Sequence, residues 1–178
     1  MSKSIRVAAV DLNGQLRGKR VAAGVTGKQI RMPLSVLNID VFGADIEGSP
    51  LVFESGDQDG IMETTDRDPI PLPWVAGDAF LDLRMMHNED GSPFEGDPRI
   101  ALNQVLERFA SNGWQVIAAC ELEFFLLKDA GNLAPPVNPK TGRRLSGAEI
   151  LSMRELDSFD VFFNDVADGA KMMGLGDL

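Results

Sequence analysis

The chain opens on alternating and continuous apolar positions, Ile5, Val7, Ala9-Val10 and Leu12, and then meets Asn13-Gly14. That dipeptide favours the type I′ turn of a tight hairpin, so residues 15 to 23 are expected to return as a second strand. A helical stretch is expected over residues 28 to 38, where Pro33 either starts the helix late or breaks it. Residues 51 to 54, 70 to 75 and 79 to 85 read as further strands. A hairpin first, then a helix and more strands, is an α+β pattern.

The second half is punctuated differently. Turn formers crowd Asp90-Gly91-Ser92-Pro93-Phe94-Glu95-Gly96, and Asp97-Pro98 then supplies an N-cap and a proline at the first helical position. The helix should run to about residue 112, burying Leu102, Val105, Leu106 and Phe109 on one stripe, with Gly113 closing it. The domain boundary is placed in this turn-rich segment, giving domains 1–96 and 97–178. Residues 130 to 144 read as a loop. Ser146-Gly-Ala-Glu149 is a capping-box candidate for a short helix, and Ser158 a candidate cap for another that sets Phe159, Phe162, Phe163, Val166 and Ala170 on one face.

Between helix and loop lies the run Ala119-Cys120-Glu121-Leu122-Glu123-Phe124-Phe125-Leu126-Leu127. As a strand it puts Val116, Ala118, Cys120, Leu122, Phe124 and Leu126 on one face. Ile117, Ala119, Glu121, Glu123, Phe125 and Leu127 take the other. Both faces look buried, and two carboxylates side by side on a largely apolar strand repel and are costly to desolvate unless a cation joins them. Hard divalent ions with oxygen ligands suit that role. Two readings stand: a metal site at Glu121 and Glu123, or a solvated or salt-bridged strand face. Cys120 is expected to be a buried structural thiol and His87 a surface residue.

Composition narrows the function classes. With 178 residues and 44% hydrophobic content the chain can pack a core, and its formal charge of −10 leaves no basic stripe for nucleic acid or an anionic membrane. One cysteine rules out an internal disulfide. The amino terminus lacks the apolar core of a signal peptide, and no window approaches the ~20 apolar residues of a membrane helix. A soluble cytoplasmic protein is expected. Neither a phosphate loop nor a Gly-x-Gly-x-x-Gly fingerprint occurs. A second acidic constellation, Ser55-Gly56-Asp57-Gln58-Asp59-Gly60, could aim a carboxylate at a metal, a cationic substrate or a partner subunit, or be a plain loop.

Taken together, these landmarks resemble the glutamine synthetase superfamily, most closely the branch that joins glutamate to polyamines or other amines. The matching pieces run in order: Val10-Asp11, Leu16-Arg17-Gly18-Lys19-Arg20, Met32-Pro33 with Ser35-Val36, Asp40-Val41-Phe42-Gly43, Gly56-Asp57-Gln58-Asp59-Gly60 and Pro71-Leu72-Pro73-Trp74. Asp90-Gly91-Ser92-Pro93-Phe94, Asp97-Pro98-Arg99 and Glu121-Leu122-Glu123-Phe124-Phe125-Leu126 complete the set.

The resemblance implies a β-grasp amino-terminal domain followed by the truncated start of the glutamine synthetase catalytic domain. It implies that Glu121 serves a divalent ion (Mg2+ or Mn2+) on the nucleotide side and Glu123 the metal nearer the amino acid, with ATP as co-substrate. It also implies that the aspartate loop reaches a neighbouring subunit's active site to bind and deprotonate ammonia or an amine, with Asp59 the preferred match and Asp57 the alternative. Glutamate and an amine are the implied substrates, and a homo-oligomer of stacked rings the implied assembly. The family's remaining metal glutamates, its histidine, its ATP-binding segment and its substrate arginines have no counterpart before Leu178. The chain therefore reads as an amino-terminal fragment or shortened relative of an ATP-dependent ligase. The alternative is a non-catalytic assembly or regulatory module.

Overall fold

Small and branched apolar residues at successive positions give β1 (Ser4–Val10) two usable faces, and it pairs antiparallel with β2 (Leu16–Ala22), Ser4 opposite Ala22 and Val10 opposite Leu16. The structure is a computed structural model that describes residues 4–128, 131, 133–146 and 149–176. Two compact units divide the chain, Met1–Val116 and Ile117–Leu178. In the first, β6 (Phe80–His87) organises the sheet. Its first half runs parallel to β1 and its second half antiparallel to β4 (Asp59–Thr64), which in turn pairs with β3 (Arg31–Pro33). The order is β2-β1-β6-β4-β3, and the short β5 (Ile70–Pro71) joins β6 at Phe80 and Leu81.

Side-chain alternation sorts the apolar residues to the two faces of this mixed sheet. Val7, Ala9 and Met86 pack with Met32, Leu34, Leu37, Met62 and Phe94, while Ala8, Leu81 and Leu83 form a smaller cluster with Ile70 and Leu72. Each fully buried Leu or Met contributes about 1.5–3 kcal/mol. Asp82 and Arg84, two apart on β6, are buried as an ion pair at 2.5 Å, and the Arg84 guanidinium also donates to the carbonyls of Met62 and Thr26.

Several expected elements take other forms. The hairpin has no two-residue turn, because β1 stops at Val10 and residues 11–15 bridge the strands. The buried Asp11 replaces the turn: its Oδ1 accepts the Asn13 and Gln15 N–H groups, both at 2.8 Å, and its Oδ2 accepts Arg17 Nε at 2.8 Å. Burial pushes the Asp11 carboxyl up, but the Arg17 side chain and the Gln15 and Asn13 N–H groups outweigh it and hold its pKa below the ordinary aspartate value. The helix expected over residues 28–38 is instead β3 followed by a 3-10 turn at Leu34–Leu37, since Pro33 denies a helix its hydrogen bond. Residues 51–54, read as a strand, fall largely within the short helix α1 (Pro50–Phe53), whose cap Ser49 accepts the Leu51 N–H. β4 was not anticipated.

Helix α2 (Pro98–Ala110) starts at Asp97 as expected, and Gly113 follows it at φ +73°, a conformation costly for any residue with a Cβ. Its stripe is not buried, however: Leu102, Val105, Leu106 and Phe109 stay exposed, Phe109 resting on Trp114 at 6.0 Å between ring centroids. α2 belongs to the first compact unit, which ends later than the turn-rich segment where the sequence suggested a boundary.

The second unit holds α3 (Met153–Ser158) and α4 (Asp160–Met172). Ser158 ends α3 and donates to the Arg154 carbonyl, so it does not cap α4, and Ser152 caps α3 instead. Ser146 and Glu149 are hydrogen-bonded to one another, but Gly147 and Ala148 of that capping box lie outside the described residues. Phe162 meets Phe124 at 6.0 Å and Phe163 at 5.3 Å, both edge-on.

Candidate functional site

The aspartate loop lies in the first unit, between α1 and β4. Asp57 sits at φ +58°, in the left-handed region that aspartate tolerates better than most residues. Its Oδ1 accepts the hydroxyl of Ser35 at 2.5 Å, and Ser35 is itself buried in the 3-10 turn. Two further bonds fix the loop: the Leu34 N–H donates to the Gln58 carbonyl at 3.1 Å, and the Gln58 amide donates to Glu89 Oε2 at 3.3 Å. Glu89 is held in turn by Arg31 at 3.1 Å.

Gly60 closes the loop for a packing reason. A Cβ there would lie 2.3 Å from Leu34 Cδ2 and 2.7 Å from the His87 carbonyl oxygen, so the 3-10 turn, β4 and β6 meet this closely only around a glycine. Asp59, first residue of β4 and opposite Pro33 in the ladder, is exposed. Among the described residues no hydrogen bond or ion pair engages its carboxylate.

Glu121 and Glu123 lie in the second unit, and the strand expected around them does not form. Residues 114–127 have no ladder partner among the described residues, and apart from the half-buried Leu126 their side chains are exposed: Ile117 is 90% exposed, Leu122 83% and Phe125 94%. An apolar run becomes a strand only when a neighbour takes up its backbone hydrogen bonds. Both glutamates are exposed, so the low-dielectric setting that argued for a cation is not realised here, and Cys120 is exposed rather than buried. The donor chemistry fits a hard divalent ion: two carboxylates, two residues apart, can each give oxygen. Among the described residues no group of three or more metal-ligating side chains gathers around them.

Just beyond Glu123, the same unit forms an open pocket of about 650 Å3 whose wall is mostly apolar, with Phe124, Leu127, Leu156 and Phe163, and carries the polar side chains of Glu149 and Glu155. His87, expected at the surface, is half-buried on β6, and no described residue bonds its shielded Nδ1. The contacts that sequence reasoning missed are those of Ser35 and Glu89 with the loop. They join residues far apart in the chain and left no local pattern; only the Ser and Glu identities were visible.

Comparison with known proteins gives these residues a context. Residues 95–176 match the family model of the glutamine synthetase catalytic domain. The chain is 32% identical to gamma-glutamylputrescine synthetase PuuA of Escherichia coli over 94% of its own length and 37% of the relative's. It is 27% identical to a glutamine synthetase of Thermotoga maritima, covering 96% of this chain and 36% of that enzyme. A solved structure of a novel glutamine synthase homolog superposes with a TM-score of 0.54 over 63% of this chain and 28% of the other, and at 14% identity that likeness is one of fold. The chain thus spans little more than a third of the length of these curated relatives. Residues 95–176 thus carry the glutamine synthetase catalytic-domain pattern, and along nearly its whole length the chain resembles the γ-glutamylpolyamine-synthetase-like branch of that superfamily.

Proposed function

We propose that the chain is the amino-terminal part of an ATP-dependent ligase that joins the side-chain carboxylate of glutamate to ammonia or another amine. The observation that carries this reading is the 32% identity to a gamma-glutamylputrescine synthetase along nearly the whole chain, together with the catalytic-domain match from residue 95 onward. In this reaction a glutamate carboxylate oxygen attacks the γ-phosphorus of ATP and releases ADP. The amine then attacks the acyl carbon of the γ-glutamyl phosphate, phosphate leaves, and the amine gives up a proton.

Residues 1–96 are read as a β-grasp domain, supported by the β1–β2 hairpin and the parallel pairing of β1 with β6. Residues 97–178 are read as the start of the catalytic domain. Glu121 and Glu123 are the residues that would hold Mg2+ or Mn2+. Such an ion, when bound, neutralises charge on phosphate oxygens. The carboxylate of Asp59 or Asp57 receives the amine proton, in the active site of a neighbouring subunit of a cytoplasmic homo-oligomer. The groups that orient ATP belong to the part of the enzyme this chain does not span, because phosphoryl transfer depends on positioning and electrostatics that two carboxylates cannot supply.

The test is glutamate- and amine-dependent phosphate release from ATP by the complete ligase carrying this segment, with putrescine, ethanolamine and ammonia as acceptors. Glu123→Ala should lower the rate on the order of 100-fold or more, as expected for lost electrostatic stabilisation. An unchanged rate would sink the assignment.

A further inference from the structure

Two Asn-Gly dipeptides lie on the surface, Asn13-Gly14 between β1 and β2 and Asn112-Gly113 just past α2. Such a pair is prone to spontaneous deamidation, because glycine has no Cβ to shield its amide nitrogen. That nitrogen, having given its proton to hydroxide, attacks the Asn Cγ, and the side-chain nitrogen leaves as ammonia. Water then opens the succinimide to aspartate or to isoaspartate, whose main chain runs through the former side-chain methylene. All four residues are exposed, the two glycines share a positive φ, +76° and +73°, and a Cβ on either would meet no atom within 4 Å. Exposure therefore does not separate the two sites. Their hydrogen bonds do.

We propose that Asn112 is a deamidation site of this protein and that the fold shields Asn13 from the same reaction. The Asn13 Nδ2 donates to the carbonyls of Ile39 and Asp40 at 3.0 and 3.2 Å, 26 and 27 residues away. Its N–H donates to Oδ1 of the buried Asp11 at 2.8 Å, and the Gly14 N–H to the Asp11 carbonyl at 3.0 Å. Bringing the Gly14 nitrogen onto the Asn13 Cγ means releasing the 39–40 loop and Asp11 together, and Asp11 is itself tied to Arg17. The bonds on Asn112 and Gly113 run instead to their own helix end. Asn112 Nδ2 donates to the Arg108 carbonyl at 2.8 Å, its N–H to the Phe109 carbonyl at 3.0 Å, and the Gly113 N–H to the Ala110 carbonyl at 2.9 Å. All three open when the last turn of α2 frays, and fraying of a helix end costs little. The reaction proceeds from the open form, so its rate follows the population of that form. Its product puts a negative charge at the carboxyl end of α2, against the helix dipole, and leaves the Arg108 carbonyl with the Ser111 hydroxyl alone as side-chain donor.

The test is incubation of the 178-residue chain in mildly alkaline buffer, folded and in urea, with the conversion at each asparagine followed by peptide mapping and mass spectrometry. The chain in urea gives each site its own unshielded rate. In the folded chain Asn112 should react within ~10-fold of that rate, and Asn13 at least ~100-fold below it, as expected for a frayed end against a partial unfolding. Asp11→Ala, which removes the side-chain acceptor of the Asn13 N–H, should speed conversion at Asn13 and leave Asn112 unchanged. Should that variant unfold, both sites reach their urea rates and the unaltered chain still decides. An Asn112 that stays intact in the folded chain over many half-lives of the chain in urea overturns the site. A folded-chain rate at Asn13 equal to that at Asn112, or faster, overturns the shielding.

Discussion

One carboxylate joins the central strand to the first long helix: Asp97 Oδ2 accepts the Met86 N–H at 2.7 Å while its Oδ1 accepts the Arg99 N–H at 2.8 Å. Asp97 is completely buried, so both donors would be orphaned by its removal. The cap is worth about 1 kcal/mol and a hydrogen bond to a buried charge about 1.5–3 kcal/mol. Asp97→Ala should therefore destabilise the chain by about 2–4 kcal/mol in urea unfolding at neutral pH. Asp97→Asn should cost less, because one carbonyl oxygen remains to accept. A loss under about 0.5 kcal/mol for the alanine variant would mean that water replaces both bonds.

The Asp11 loop should register in the acid limb of stability. Its folded pKa lies below the ordinary aspartate value, so its contribution is fully present above that unfolded value and is lost as pH falls through the lower, folded one. The stability difference between wild type and Asp11→Asn should be constant from neutral pH down to about 4 and shrink below it. Denaturant unfolding at a series of pH values measures the difference directly. A gap that widens on acidification would contradict the assigned direction.

Gly60→Ala asks for space that the sheet does not have. The Leu34 methyl at 2.3 Å can rotate, but the His87 carbonyl at 2.7 Å is backbone of the organising strand. Overpacking of this kind costs about 1–3 kcal/mol. Thermal unfolding of Gly60→Ala should show that loss, and the double variant Gly60→Ala/Leu34→Ala should recover little of it, because the carbonyl contact stays.

Local signals were read well from the sequence and distant ones were not. Asp97-Pro98 and Gly113 bracket α2 because capping is settled within a few residues. The early hairpin was legible as two strands, but the Asn13-Gly14 signal lost to Asp11, whose side chain builds a longer turn from inside the fold. β3 was hidden within a helical pattern that Pro33 forbids, and Ser49-Pro50, a cap signal, outweighed the strand-like Leu51 and Val52. The candidate carboxylates were visible as residues. Which of them is committed was not, since the Ser35–Asp57 bond joins positions 22 apart.

The glutamate segment offers the sharpest contrast between pattern and structure. Its apolar alternation asks for a two-sided buried strand, yet residues 114–127 make no ladder bond among the described residues and expose Ile117, Leu122 and Phe125. Backbone amides without hydrogen bonds exchange with solvent freely, so amides of residues 115–127 should exchange at least ~1,000-fold faster than those of β1 and β6, whose opening costs much of the global stability of ~5 kcal/mol or more. The glutamates, being exposed, should bear no part of that stability. Glu121→Gln/Glu123→Gln should shift the unfolding free energy of the 178-residue chain by less than ~0.5 kcal/mol. Placed in the complete ligase, the same pair should cost activity and leave stability in the absence of divalent ions nearly unchanged. That combination separates a ligand role from a structural one, because carboxylates that held the strand in place would destabilise both proteins when neutralised.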